Sequence, residues 1–296
     1  SDELAFLKTH YYGGIRKYQW VAIPLELRGV VVLRDGTAVS VVLGEGDEPK
    51  FVINDLLPHL GGEQGKKPLN EAIAGETLNI LMGSRPLGDS EDSDRVKLRV
   101  LDLLHEKYGI CEDDLTSAEL EVVPAFNATD LGLDRSLIGA YGHDDRVCGY
   151  AALKGLFDID VPEKTAVCML ADKEEVGSMG VTGMQSAFFD TFMEDLCQSQ
   201  GVSLRVCYES SFCLSSDVTV AYVRRVLDNA GVVWQIGEMG KIDAGGGGTV
   251  AQYMANRNIT TIDAGVPVLS MHSPFETVGK LDCYMNYLGC KAVYLA

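Results

Sequence analysis

The feature that most constrains the fold is an alternation of short apolar runs with helix-like segments, from about residue 130 to the last residue. A continuous apolar run such as Thr165–Ala171 is typical of a strand buried on both faces. Strands alternating with helices predict an α/β fold whose mostly parallel sheet has flanking helices. We predict helices at Arg146–Phe157, Gly183–Gln198, Tyr222–Ala230, Gly248–Asn256 and Glu276–Val293, and extended segments at Thr165–Ala171, Leu204–Leu214, Gly231–Ile236, Thr260–Val266 and Pro267–Ser270.

The part of the chain from about Thr9 to Pro124 has a different sequence pattern, which predicts short strands separated by Gly and Asp turn signals. Arg34-Asp35-Gly36 predicts a hairpin turn. The predicted strands are Tyr18–Ile23, Gly29–Leu33, Ala38–Val42 and Glu119–Ala125, and the predicted helix is Asp94–Tyr108. The change of pattern indicates two domains, of which the first is rich in strands.

The net charge of −18 disfavours binding to nucleic acid phosphates and to anionic membranes. Eight cysteines without a Cys-x-x-Cys pair favour reduced thiols over a disulfide framework. No apolar run reaches the roughly 18 residues of a membrane span, and no signal-peptide pattern is present. We therefore expect a cytoplasmic protein with no nucleic acid or membrane partner.

Acidic and imidazole side chains recur just past the short apolar runs, which predicts that they share one site at the edge of the sheet. The residues are Asp145, the tandem Glu174 and Glu175, Asp217 and His272. Each has a simpler explanation by itself: Asp145 as a helix cap, Asp217 as a turn former, and the glutamates as solvated charges. Asp144 and His143 compete with Asp145 for a ligand role. Together the set predicts a site for two divalent metal ions, with zinc expected and manganese or cobalt as alternatives.

The tandem glutamates are predicted to have two different roles. Adjacent side chains in extended backbone point in opposite directions, so both cannot ligate one ion in the same way. One can bind metal while its neighbour takes a proton from metal-activated water. A glycine run, Gly245–Gly248, offers amide groups to a substrate oxygen or forms a flexible loop, and it lacks the pattern of a phosphate-binding loop.

These motifs resemble the aspartyl aminopeptidase family of co-catalytic zinc peptidases, in its bacterial branch. The resemblance extends over nearly the whole chain and rests on Thr9–Gly14, Ile53–Leu60, the Asp145 motif, Asp172–Ser178, Ser215–Asp217, Gly245–Thr249 and Val268–Ser273. It implies that Asp145 bridges two metal ions, that Glu174 is the general base, and that Glu175, Asp217 and His272 are ligands. It also implies that His59, for which a structural loop role is the alternative, enters the active site of a neighbouring subunit.

The same resemblance implies a catalytic domain, residues 1–8 and 130–296, interrupted by a dimerisation domain, residues 9–129, and assembly into a tetrahedral dodecamer. The chain departs from the family pattern in having no upstream His-x-Asp ligand motif and in running almost directly from Thr219 to Val223. We expect that an N-terminal and an internal segment are omitted.

The function expected is a metal-dependent aminopeptidase that hydrolyses N-terminal residues, acidic ones included, from peptides. Two alternatives stay open: an inactive oligomeric scaffold of the same family and a related amidohydrolase.

Overall fold

The computed structural model describes residues 3–88, 93–217, 224–236 and 249–296. The chain forms two compact units, Ser1–Asn127 and Ala128–Ala296. The first strand, β1 (Ala5–Leu7), pairs with β5 (Ile80–Gly83) of the first unit. No helix in the described ranges has both the length and the apolar character that a membrane span requires.

The first unit contains two antiparallel sheets of three strands, with the orders β1-β5-β4 and β3-β2-β6. Its other elements are β2 (Leu25–Val32), β3 (Ala38–Leu43), β4 (Val52–Ile53), β6 (Ala118–Pro124), α1 (Leu69–Ala72) and α2 (Arg95–Tyr108). Apolar side chains form its two cores, one around Leu25 and Ile80 and the other around Val31 and Ile110.

Most of the predicted elements of this unit are present. The hairpin is confirmed, because Val32 pairs with Ala38 across the Arg34–Gly36 turn. The strand predicted at Tyr18–Ile23 is wrong: Lys17–Trp20 forms a 3₁₀ helix that buries Trp20 in the core. The apolar character of this segment is explained by burial of the Trp20 side chain, which does not require a strand.

The second unit mixes helices with two small sheets. Its elements are β7 (Thr129–Leu131), β8 (Leu137–Ala140), α3 (His143–Phe157), α4 (Phe188–Ser199), α5 (Leu204–Glu209), β9 (Phe212–Ser215), α6 (Arg224–Asn229), α7 (Ala251–Ala255), β10 (Thr260–Asp263), β11 (Val268–Leu269), β12 (Glu276–Gly279) and α8 (Lys280–Tyr294). The order β11-β12-β8-β7 describes an antiparallel sheet, and β9 pairs with β10 in parallel. Among the described residues, parallel pairing between strands is limited to β9 and β10.

Three predicted segments of the second unit differ in the structure. Thr165–Ala171 is not a strand, although Val167 and Met169 still pack against a core. Leu204–Leu214 is divided into α5 and β9, because the Ser203 side chain accepts the Val206 N–H and caps a helix. Gly231–Ile236 contains no strand.

The C-terminal segment predicted as one helix, Glu276–Val293, is also divided. Its first four residues form β12, which pairs with β8, and α8 begins at Lys280. Glu276 is thereby placed inside a sheet, where it is 2% exposed.

Candidate metal centre

Three side chains of the second unit converge on one point. Nε2 of His272 lies 3.0 Å from Oδ2 of Asp144 and 3.1 Å from Oε1 of Glu175. One ligand atom from each of the three residues lies within 4.8 Å of the other two. Two carboxylate oxygens and one imidazole nitrogen are a donor set that suits a zinc ion.

The aspartate in this group is Asp144, whereas the sequence prediction named its neighbour Asp145. Both residues lie in the first turn of α3 and have non-helical backbone, with ψ of 109° at Asp144 and 18° at Asp145. The Asp144 side chain is half-buried beside His272, and Asp145 is exposed. Adjacent carboxylates at this turn therefore have different surroundings, which no sequence pattern distinguishes.

Strand pairing explains how Asp144 meets His272. β8 leads into the turn before α3, and β12 starts just after the His272 loop. The two strands are antiparallel and Ala140 pairs with Glu276, so the end of one strand and the start of the other lie at the same sheet edge. The loops that bear Asp144 and His272 therefore emerge side by side.

A close approach fixes the His272 loop against β8. A Cβ atom added at Gly139 would lie 2.4 Å from the ring of Phe275, so the aromatic ring occupies the space of a missing side chain. Any larger residue at position 139 would displace Phe275, three residues from His272.

The loop that carries Glu174 and Glu175 is held by its own backbone. Ser178 N–H donates to the Lys173 carbonyl at 2.7 Å, and Gln185 N–H donates to the Ser178 carbonyl at 3.1 Å. A Cβ atom at Gly183 would lie 2.2 Å from the Ser178 oxygen, so the loop closes on itself only with glycine there.

Left-handed backbone is concentrated next to these residues. Lys173, Ser178, Ser270 and His272 have φ between 56° and 68°. Each such conformation costs of order 1–3 kcal/mol in a non-glycine residue, and strain of this kind is typical of functional sites. His272 itself has left-handed backbone, and this backbone conformation sets the direction of its imidazole.

Asp217 belongs to the same electrostatic environment although it lies outside the group of three. It follows the end of β9, where Ser215 pairs with Asp263 of β10. Burial, together with the charges of Asp144 and Asp263, raises the pKa of Asp217 to about 6. Asp263, which the sequence analysis missed, accepts the Thr249 hydroxyl at 2.9 Å.

Glu174 is half-buried and stands among the same carboxylates. Burial and the charges of Glu175 and Asp217 raise the pKa of Glu174 above its ordinary value. Burial also raises the pKa of Asp144, and the imidazole of His272 opposes that rise. Carboxylates in a cluster raise one another's pKa because their negative charges repel, and a divalent cation bound among them would offset this repulsion.

The other predicted residues have the following positions. His59 is exposed in a turn of the first unit, and His143 lies beside the group but contributes no atom to it. Gly245–Gly248 and Thr219 lie outside the described residues. Glu276, which the sequence analysis assigned to a helix, has both carboxylate oxygens in contact with the loops of the site.

Comparisons with known proteins place the chain in a family. The sequence profile described as "Aminopeptidase I zinc metalloprotease (M18)" matches residues 1–222 and 200–294. A probable M18 family aminopeptidase 1 of Borrelia garinii is 42% identical, over 99% of this chain and 76% of the relative, and one of Clostridium acetobutylicum is 41% identical, over 99% and 73%. The crystal structure of an M18 aminopeptidase of Thermotoga maritima superimposes with a TM-score of 0.94 at 38% identity, over 99% of this chain and 76% of that one.

The chain therefore belongs to the M18 family of zinc metallopeptidases. It is a metal-dependent aminopeptidase, a hydrolase of peptide bonds, with the mixed α/β fold of that family. The Borrelia alignment spans 347 positions against the 296 residues here, so the relative has internal positions without a counterpart. The two profile matches overlap between residues 200 and 222.

Proposed function

We propose that Asp144, Glu175 and His272 hold a catalytic divalent ion of this aminopeptidase. The observation that carries the proposal is the position of His272 Nε2, 3.0 Å from one carboxylate and 3.1 Å from the other. Three protein ligands with one open position are the usual arrangement of a catalytic zinc site. We assign to Asp144 the shared-ligand role that the family resemblance gives to Asp145, because Asp144 is the one whose carboxylate contacts His272.

Asp217 is proposed as a ligand of a second ion. Its support is electrostatic: the charges of Asp144, Asp145 and Glu175 all act on Asp217, together with that of Asp263. A carboxylate of this kind, half-buried among other carboxylates, is stabilised in its ionised form by a nearby dication. Asp144 contacts His272 and its charge also acts on Asp217, so it is the residue we expect to be shared.

Glu174 is proposed as the general base. It neighbours Glu175 in the chain and feels the charges of the proposed ligands, yet it is not one of the three converging residues. The chemistry that a divalent ion supplies in such a site is polarisation of the scissile carbonyl and acidification of water. Glu174 would take the proton from the attacking water and return it to the leaving amine.

The anionic cluster also suits the substrate of an aminopeptidase. A free peptide N-terminus is a cation at neutral pH, and the carboxylates of Asp145, Glu174 and Asp217 would attract it. A preference for acidic N-terminal residues is implied by the family resemblance and requires a cation near the site; Arg146, Lys173 and Lys241 lie near the motifs in sequence. Hydrolysis rates for peptides that differ only in their first residue test this preference.

We further propose that the chain works as a homo-oligomer, a tetrahedral dodecamer built from dimers, with His59 acting in a neighbouring subunit. The support is the family resemblance and the exposed loop around His59, in which Leu56, Leu57 and Leu60 are at least half exposed. Apolar side chains of this size in a single exposed loop suit an interface. A cytoplasmic location stays a prediction, in keeping with eight free cysteines.

The experiment that tests the metal centre is a measurement of zinc content and peptide hydrolysis in His272→Ala. Loss of bound zinc with retention of the fold would support the proposal. Zinc content and hydrolysis equal to those of the wild type would refute it.

A further inference from the structure

Glu276 joins the two loops that bear the proposed metal ligands. The backbone N–H of Asp144 donates to its Oε2 at 3.0 Å, and the backbone N–H of His272 donates to its Oε1 at 2.7 Å. The residue is 2% exposed and is among the largest fully buried side chains in the described part of the chain. One carboxylate thus holds the main chain of two ligand residues that are far apart in sequence.

The chemistry of these contacts favours a positioning role over ligation. Hydrogen bonds from N–H groups to a carboxylate are shorter and stronger than neutral ones. Both oxygens of Glu276 accept backbone N–H groups, and Glu276 is not one of the three converging residues. The Asp144 N–H belongs to a non-helical turn, and the His272 N–H belongs to a residue with left-handed backbone.

We propose that Glu276 is a positioning residue that sets the spacing between Asp144 and His272 and thereby the metal affinity of the site. The inference rests on the proposed ligand set. A buried carboxylate without a cation is costly in a protein interior, and two charge-assisted hydrogen bonds offset that cost only while both loops stay in place. Conserving the distance between ligands is what supporting groups do in metal sites, and their loss typically lowers metal affinity about 10–100-fold.

The variant that tests this is Glu276→Gln, which keeps the volume of the side chain. Its amide oxygen can accept one N–H, but its NH₂ group faces the other donor, so one loop loses its anchor. We expect the zinc dissociation constant, measured by competition with a chromophoric chelator, to rise at least about tenfold. Hydrolysis should recover toward the wild-type kcat at saturating zinc, because the reacting side chains are unchanged.

Asp114→Asn is the matched control. Asp114 is 8% exposed in the first unit and also accepts two backbone N–H groups, from Arg34 at 2.9 Å and from Cys111 at 2.8 Å. Asp114→Asn weakens the same type of hydrogen bond in the other unit, so this variant reports the effect of reduced stability alone. Its zinc affinity should equal that of the wild type. An equal loss of affinity in the Asp114 and Glu276 variants would overturn the proposal.

His272→Ala separates the two hypotheses. If it loses zinc while Glu276→Gln binds zinc like the wild type, the positioning role is refuted and the ligand set stands. If His272→Ala binds zinc like the wild type, the proposed ligand set is refuted, and the positioning role of Glu276 is refuted with it. Should Glu276→Gln not fold, hydrogen exchange in the wild-type protein decides: slow exchange of the Asp144 and His272 amides supports the contacts, and exchange as fast as in exposed loops overturns them.

Discussion

Nε2 of His272 lies 3.0 Å from Oδ2 of Asp144, and the carboxylate is the more buried of the two side chains, at 18% exposure against 32%. The contact joins the loop before β12 to the first turn of α3. It distinguishes two adjacent aspartates whose sequence context is the same.

Asp144→Asn should therefore lower zinc content and peptide hydrolysis, because the amide removes a charged ligand. Asp145→Asn is the matched substitution one residue away, and it should retain zinc. The loss of zinc affinity at Asp144 should exceed the roughly 10–100-fold that is typical of residues outside the coordination shell. Metal analysis of both purified variants checks this, and a loss confined to Asp145→Asn would return the role to that residue.

Glu174→Gln should reduce kcat at least about 100-fold while zinc content stays at the wild-type level, since general-base catalysis contributes about 10²–10⁴-fold. The adjacent variant Glu175→Gln should instead lose zinc, because its Oε1 is one of the three converging atoms. Turnover of Glu174→Gln within tenfold of the wild type would exclude the base role.

His59→Ala should impair hydrolysis without reducing zinc content, because His59 belongs to the first unit and the ligand atoms belong to the second. Mixing Glu174→Gln subunits with His59→Ala subunits tests whether it acts across subunits. Each mixed pair can bring an intact His59 to an intact Glu174, so activity should be partly restored. Demonstrated subunit exchange without any recovery would contradict a shared site.

Asp190→Asn should destabilise the second unit by about 1 kcal/mol at neutral pH. Arg257 binds the Asp190 carboxylate through two nitrogens, at 2.6 and 2.8 Å, and Tyr208 donates to it at 2.7 Å. This loss of unfolding free energy is at the low end for hydrogen bonds to a charged group, because the Asp190 side chain is 38% exposed to solvent. Urea unfolding gives the measurement, and Asp195→Asn, an exposed position on the same helix, is the control.

The same pair predicts a pH dependence. The Arg257 hydrogen bonds lower the pKa of Asp190 from its usual 3.8. A lowered pKa in the folded state stabilises the protein above the unfolded pKa, and this contribution disappears as the pH falls through the folded value. The difference in unfolding free energy between wild type and Asp190→Asn should be constant from pH 7 to pH 5 and shrink below pH 4. A difference that grows on acidification would contradict the assignment.

The sequence was most informative about chemistry and local structure. Residue type and position relative to apolar runs were sufficient to select Glu175 and His272, which the structure brings together. Local patterns also predicted the Arg34–Gly36 hairpin and helices close to α2, α3 and α8, because turn residues and helical periodicity act over a few positions.

Tertiary structure decided what depends on partners distant in the chain. Thr165–Ala171 has the composition of a strand but forms no strand with any described segment, and Glu276 was predicted to begin a helix but lies in β12. Strand formation requires hydrogen bonds to another segment, and no local pattern specifies that segment.

By itself, then, the sequence determined the family, because the family is defined by motifs spread along the chain. Only the tertiary structure placed Asp144 beside His272 and brought Glu276 into contact with the backbone of both residues. The reason is geometric: which of two adjacent side chains faces His272, and which buried carboxylate receives two backbone N–H groups, is set by the antiparallel pairing of β8 with β12.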